Sequence, residues 1–359
     1  MGTLTFFGRT NLDFIDAAFD GADIFSLTPT TLDVFNPSTS FRTSFTGQNF
    51  GLNALELPVG TINSIIIRNN LGDTVFTATG ISWNATQFAL ATESDADNAF
   101  DALLSQQDLT IDARPLDRRL EDGTFDFENV TSNLTFLGSQ FRDDFAPGRG
   151  NDSIRPGGTD DGEHIRANIG NDTIDFTAYD PSQWAHIEYF RINGPITVTI
   201  DGQANTGTVN KGSAGTDTLI DVRAVMQADG LSIGGTQGND TFTLNGVADS
   251  WMQVTGGAGN DTFNVTLTDD IRINYAYGTG SAPLNGIRVN LATGIVADDG
   301  FGNQDRINVL GGFDQLEIRG TDFADSILGS DRDERFILRG GNDTLDAGGG
   351  YDELRYDRR

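Results

Sequence analysis

The feature that most constrains this chain is a nine-residue period. GGAGNDTFN, residues 256–264, places three glycines and an Asn-Asp pair in six positions and ends with an aromatic between two polar residues. Glycine admits positive φ and close approach by another group, so the hexamer reads as a tight turn built around something. The Thr-Phe-Asn that follows alternates as a strand does, with one side chain directed inward. The frame recurs in GFGNQDRIN (300–308) and VLGGFDQLE (309–317). After a two-residue insert come GTDFADSIL, GSDRDERFI, LRGGNDTLD and AGGGYDELR, which abut from 320 to 355. Position six of these six units holds Asp305, Asp314, Asp325, Glu334, Asp343 and Asp352, and position eight holds Ile307, Leu316, Ile327, Phe336, Leu345 and Leu354. GSQFRDDFA, PGRGNDSIR, GTDDGEHIR and ANIGNDTID fit between 138 and 175; GSAGTDTLI, GTQGNDTFT and LNGVADSWM join the opening segment in the middle. Such a period predicts stacked units that share one continuous core.

Two nonapeptides make one coil of a flattened solenoid, so every second hexamer stacks on the same side, roughly 4.8 Å from its neighbour. A column of carboxylates at that spacing repels itself. Calcium resolves the conflict, because it accepts six to eight hard oxygens and turn carbonyls plus acids from consecutive loops supply them. Position-eight side chains then fill the narrow interior. The expected fold is mainly β: a small N-terminal β-rich α+β domain over 1–130, followed by a parallel β-roll or β-solenoid. The repeats divide into a first cluster with its spacer (131–211), a second cluster with its spacer (212–299) and the C-terminal nonapeptides (300–359). The spacers resemble each other, ITVTIDGQANTG (196–207) aligning with IRVNLATGIVAD (287–298). Before residue 130, SFTGQNF, TINSIIIRNN and DTVFTATGISW read as strands and SDADNAFDALLSQ (94–106) as a helix, with Ser94 and Asp97 at its start and Ala99, Phe100, Leu103 and Leu104 on its apolar face.

These turns resemble the RTX (repeats-in-toxin) calcium-binding β-roll family, whose pattern is G-G-x-G-x-D-x-U-x with U large and apolar. GGAGNDTFN matches every specified position, and PGRGNDSIR and GTQGNDTFT miss one glycine each. The resemblance spans about 138–355 and implies calcium held by Asp152, Asp172, Asp240, Asp261, Asp325, Asp343 and Asp352, with Asp217, Asp305, Asp314 and Asp333 as further members. Carbonyls near Gly148, Gly150, Gly170, Gly238, Gly257, Gly259, Gly341 and Gly350 complete the set. With one ion bridging two loops, this implies roughly six to ten calcium ions. It also implies secretion by a type I exporter, without a cleaved N-terminal signal, and folding in external calcium. Glu334 in place of Asp, and the missing glycines of VLGGFDQLE and LNGVADSWM, mark weak or empty sites.

Composition narrows the function. The chain of 359 residues carries 52 acids against 23 basic residues, formal charge −29, with Lys211 its one lysine. Such a surface repels nucleic acid and anionic membranes. The absence of cysteine excludes disulfides, thiolate metal sites and Cys catalysis. No stretch reaches the length of a membrane span. GLSIG (230–234) fits the G-x-S-x-G of a nucleophile elbow, but a repeat turn follows it, and His164 and His186 both precede Ser232. It reads as a strand entering a turn. His164, at position seven of its unit, reads as solvent-facing, and His186 in WAHIEYF stays open between packing and function. The leading expectation is a non-catalytic extracellular scaffold, such as a surface layer, fibre or matrix protein, organised by calcium. Because only YDRR follows the last unit, self-association or further chain is expected to cover that end. The alternatives are the accessory or secretion region of a larger enzyme (protease, lyase or epimerase), a sugar-processing groove on the solenoid itself, or an adhesin that binds polysaccharide through Trp184 or Trp251.

Overall fold

The computed structural model describes residues 1–7, 18–19, 21–93, 97–116, 123–157, 162–177, 183–277, 280–312 and 315–356. The chain forms two compact units, Met1–Asp160 and Asp161–Arg359. Among the described residues no helix is long and apolar enough to cross a membrane.

The first unit begins as an antiparallel meander, in which Asp23–Leu27, Thr31–Phe35, Arg42–Leu52, Pro58–Arg68 and Thr74–Asn84 each pair with the next. Gly2–Phe6 is the seam between two pairing modes. It runs antiparallel to Thr74–Asn84 on one side and parallel to Leu109–Asp112 on the other. From there the pairing is parallel, through Leu134–Leu137 to Ser153–Arg155, while Gly123–Asp126 and Asp143–Ala146 pair in a second sheet. The predicted helix is present as Asp97–Leu104, with Leu103 and Leu104 buried; Ser94 lies outside the described residues. A second helix, Ala85–Glu93, was not foreseen, although its start signal is in the sequence: Asn84 Oδ1 accepts the Gln87 N–H at 3.0 Å, an N-cap. Its Phe88 meets the rings of Phe19, Phe45 and Trp83, which gives the unit its own aromatic core.

The second unit is a pair of parallel sheets between which the chain alternates, the arrangement of a β-solenoid. One sheet stacks Glu163–Arg166, Ala185–Glu188, Leu231–Gly234, Trp251–Thr255, Asp270–Asn274, Leu316–Arg319, Glu334–Ile337 and Glu353–Arg355. The other includes Thr173–Asp175, Thr216–Ile220, Thr241–Asn245, Thr262–Leu267, Asp305–Gly312, Ser326–Ser330 and Thr344–Gly348. Ser326 pairs with Thr344 and Leu316 with Glu334, 18 positions apart in each case, or two nonapeptides per coil. Alternation explains the core: Leu219, Phe242, Phe263, Ile307 and Ile327 face Ile187, Ile233, Val254, Ile273, Ile318 and Phe336, all nearly fully buried. Each such side chain contributes about 1.5–3 kcal/mol by leaving water.

The two similar spacers occupy equivalent places. Thr197–Asp201 with Thr206–Asn210, and Arg288–Asn290 with Ile295–Asp298, enter the second of these sheets as antiparallel pairs inserted between its parallel strands. Two repeat frames slip. In LNGVADSWM the predicted inward residue was Trp251, but Asp249 takes a left-handed backbone (φ 59°) and the strand turns Met252 and Val254 inward, leaving Trp251 on the outer face. In VLGGFDQLE the register sets Leu316, and not Asp314, opposite Glu334; Asp314 itself lies outside the described residues. Both units lack the glycines that hold the turn elsewhere.

Candidate functional site

The Asn-Asp pairs of the turns clamp successive coils in both directions. Asp240 N–H donates to Asp261 Oδ1 at 2.8 Å, while Asn260 N–H donates back to Asn239 Oδ1 at 2.8 Å. The Asp half of this clamp repeats as Leu134 N–H to Asp152, Asp172 to Asp217, Ile196 to Asp240, Asp261 to Asp305, Ile287 to Asp325 and Asp325 to Asp343, at 2.7–3.0 Å. At the C-terminal end Glu334 N–H donates to Asp352 and Tyr351 N–H donates to Asp333, so Asp333 takes the place of the asparagine. Asp172, Asp217, Asp240, Asp261, Asp305, Asp325 and Asp343 therefore line one edge of the second unit, whereas Asp333 and Asp352 stand on the other edge, beside strands of the opposite sheet. At the matching register of the opposite sheet, Glu163 and Glu334 bracket Ala185, Leu231, Met252, Ile271 and Leu316, where no carboxylate stands.

Glycine is required because coils meet backbone to backbone. A Cβ on Gly259 (φ 125°) would overlap the Gly238 carbonyl, and Gly148, Gly150, Gly341 and Gly350 meet the adjacent backbone in the same way. Gly238 faces Pro195, Gly170 presents its carbonyl to Gly215, and Gly257 has φ 97°. At position one the neighbour is the acid itself: a Cβ on Gly256 would strike Asp261 Oδ2.

The column differs from coil to coil in how its charge is met. Where position two is Thr, its backbone and hydroxyl donate to the acid, as Thr236 does to Asp240 and Thr321 to Asp325. Ser330 does the same for Glu334. In GGAGND position two is glycine, and Asp261 Oδ2 is buried without a hydrogen-bond donor. Burial first, then the neighbouring Asp305, push the Asp261 carboxyl up to about 9. Burial likewise raises Asp305 to about 7 and Asp240 and Asp325 to about 6. A bare, buried carboxylate oxygen beside further acids suits a hard cation such as calcium, and Asp261 and Asp305 are the residues that would hold it. Between Asp172 and Asp217 a cation is already present: Lys211 Nζ lies 3.3 Å from Asp172 Oδ2, 2.5 Å from Asp217 Oδ1 and 2.6 Å from the Asn168 carbonyl.

The outer face of the opposite sheet carries a second constellation. Register partners form an unbroken ladder, His164, His186, Ser232, Gln253, Arg272, Glu317, Arg335 and Glu353. A groove of about 460 Å³ runs along its stretch from His164 to Arg272, lined also by Trp184, Glu188, Asp229, Trp251, Tyr277 and Arg319. Trp184 lies against the α-carbon of Gly162 and Trp251 against that of Gly230, so both indoles rest where a side chain is missing. His186 shares hydrogen bonds with Ser232 Oγ at 2.8 Å and Glu188 Oε1 at 2.9 Å, and His164 Nε2 lies 3.1 Å from Glu188 Oε2. Burial pushes the Glu188 carboxyl up, but the bonds and charges of the two histidines outweigh it and hold the group below the usual range. Both histidines and Glu188 offer ligand atoms within 4.8 Å of one another, a set that zinc accepts.

Arginines dominate the other end. Glu317, 1% exposed, pairs with Arg272 and with Arg335, which also reaches Asp270 at 2.8 Å and Glu353 at 2.7 Å. The Arg272 guanidinium lies 4.8 Å from the Trp251 ring centre and Arg319 lies 5.7 Å from that of Tyr277. Burial first, and then the nearby Arg319, lower Arg272 to about 10. His186, Trp184 and Trp251 stand out in the sequence but not as neighbours, and the arginines follow no pattern there. The contact between Ser232 and His186 was hidden because 46 residues separate them. The chain matches no protein-family model and no curated protein.

Proposed function

We propose that residues 161–359 are a cation-organised β-solenoid that binds an acidic polysaccharide along the ladder groove, in the extracellular setting that its RTX-like repeats imply. One observation carries this reading: Arg272 lies over Trp251 and Arg319 over Tyr277, all four lining the groove, in a chain with more than twice as many acids as bases. Aromatic faces take the apolar face of a sugar ring, and guanidinium forks suit carboxylates. The scaffold and the groove are then two sides of one object, with charge neutralised in the turns at one edge and recognition on the opposite sheet. Calcium would supply charge neutralisation in the turns, where Asp261 and Asp305 fit it best. The test is calorimetric titration with uronate oligosaccharides and a neutral glucan. Arg319→Ala or Trp251→Ala should weaken uronate binding about tenfold or more, since a buried hot-spot side chain is worth at least about 1.4 kcal/mol. Equal affinity for the neutral glucan, or none for either polymer, would sink the reading.

A second reading, proton-transfer catalysis on the bound sugar, is favoured by the His186 contacts. A histidine oriented by Glu188 and touching a hydroxyl has the geometry of a general base. The same titrations, followed for unsaturated or shortened products and repeated with His186→Asn, separate binding from turnover.

A further inference from the structure

The two spacers put opposite charges at one structural position. Lys211 lies six residues before Asp217, and Asp299 six before Asp305. In both places the backbone N–H of that residue donates to the carbonyl four residues on, Gly215 at 2.8 Å and Asn303 at 3.1 Å. Each then leads into a strand, Thr216–Ile220 or Asp305–Gly312, that runs antiparallel to the inserted strand before it. Lys211 is 3% exposed and Asp299 is fully buried. A buried tyrosine completes each module: Tyr189, just past Ala185–Glu188, faces Asp217 and Asp172, and Tyr275, just past Asp270–Asn274, faces Asp305, Asp261 and Asp299. Acids, tyrosine and turn thus coincide, and the modules differ in the sign of one residue.

That difference changes what the rest must do. In the first module the ammonium meets three oxygens of the chain itself, from Asn168, Asp172 and Asp217. In the second, the equivalent side chain adds a carboxylate to Asp261 and Asp305, and Asp261 Oδ2 and Asp305 Oδ2 both stay buried without a donor, whereas the first module leaves Asp217 Oδ2 so beside the ammonium. Asp299 is positioned by accepting the N–H groups of Phe301 and Asn303 at 2.8 and 2.9 Å. Three buried carboxylates with two orphaned oxygens leave a charge that hydrogen bonds do not balance. We infer that Lys211 and Asp299 are alternative answers to one charge problem: Lys211 is a built-in cation that closes the first module to metal, and Asp299 completes a divalent-cation site with Asp261 and Asp305 in the second. The inference does not depend on the groove. Nor does it follow from the nonapeptide pattern, which treats both modules alike and assigns neither Lys211 nor Asp299.

Terbium, a luminescent hard cation that occupies calcium sites and is sensitised by an adjacent phenol, tests this on the whole folded chain. Terbium bound to the chelator-treated protein should emit under tyrosine excitation, losing most of the tyrosine-excited component in Tyr275→Phe and keeping it in Tyr189→Phe. Equal losses in the two variants, or a larger loss in Tyr189→Phe, would overturn the assignment. Calcium counting by native mass spectrometry is the second readout. Asp299→Asn, which keeps the side-chain acceptor oxygen, should lower the affinity of one site at least tenfold, and Lys211→Asp should add one ion per chain. An unchanged calcium titration in Asp299→Asn would refute the second module's site whether or not Lys211→Asp folds.

Discussion

At the scale of the residue, the Asn-Asp pair has two tasks that pull against each other. Asp261 must accept the Asp240 N–H to clamp the coils, and a carboxylate does that well. Yet the ionised form is buried among Asp240, Asp299 and Asp305, with Tyr275 also facing the cluster. A carboxyl raised from its unfolded value of 3.8 to about 9 contributes stability that is complete below pH 4 and is lost as pH rises toward 9. Chelated protein should therefore melt at progressively lower temperature between pH 5 and 9, and calcium should restore the loss. Asp261→Asn keeps the acceptor oxygen and removes the charge, so its melting temperature in chelator should be much flatter over that range. Each kcal/mol recovered appears as about 2–4 °C for a unit of this size. Scanning calorimetry in EDTA across the pH range checks this, and parallel curves for wild type and variant would refute it.

At the scale of the element, the repeat was legible in the sequence where glycine, acid and apolar residue kept their spacing, except in the last two units, whose position-eight Leu345 is half-buried and Leu354 44% exposed. Phe242, Phe263, Ile307 and Ile327 were placed inward and are buried. Ile327→Asp should unfold the C-terminal coils, because it exchanges about 2–5 kcal/mol of packing for a charge in a narrow interior. Loss of the circular dichroism strand signal at 25 °C in calcium is the expected result, and a native-like melt would contradict the assigned face. The sequence did not show where the frame slips, since Leu316 and Met252 occupy register positions that the pattern gives to acids. Nor did it show the groove, whose ladder joins residues 18 to 46 positions apart through spacers of unequal length. Register across coils depends on how much chain each spacer absorbs, and a periodic pattern carries no information about that. Helix Ala85–Glu93 escaped because its apolar residues read equally well as a continuation of the strand before it.

At the scale of the whole molecule, stability should be uneven along the coils of Asp161–Arg359, because neighbouring coils solve the same electrostatic problem by different means. The coil pair Thr173–Asp175 and Thr216–Ile220 carries its own cation in Lys211. Coils Thr241–Asn245, Thr262–Leu267 and Asp305–Gly312 depend on Asp240, Asp261 and Asp305, beside Asp299 and with no basic side chain among the groups that shift Asp261. Local opening follows the least compensated region, since backbone hydrogen bonds there are strained by repulsion that the apolar core alone must resist. Hydrogen exchange in EDTA at pH 8 should then lose protection first in the strands that follow Asp240, Asp261 and Asp305, while the strands beside Lys211 stay protected. Calcium should reverse that order of exposure, and Lys211→Met should remove the protected segment without help from calcium, because it leaves Asp172 and Asp217 facing each other across one coil step. Protection lost at the same rate in both regions, or first beside Lys211, would mean that the column is held by packing alone and that the sign of these buried charges does not govern where the solenoid opens.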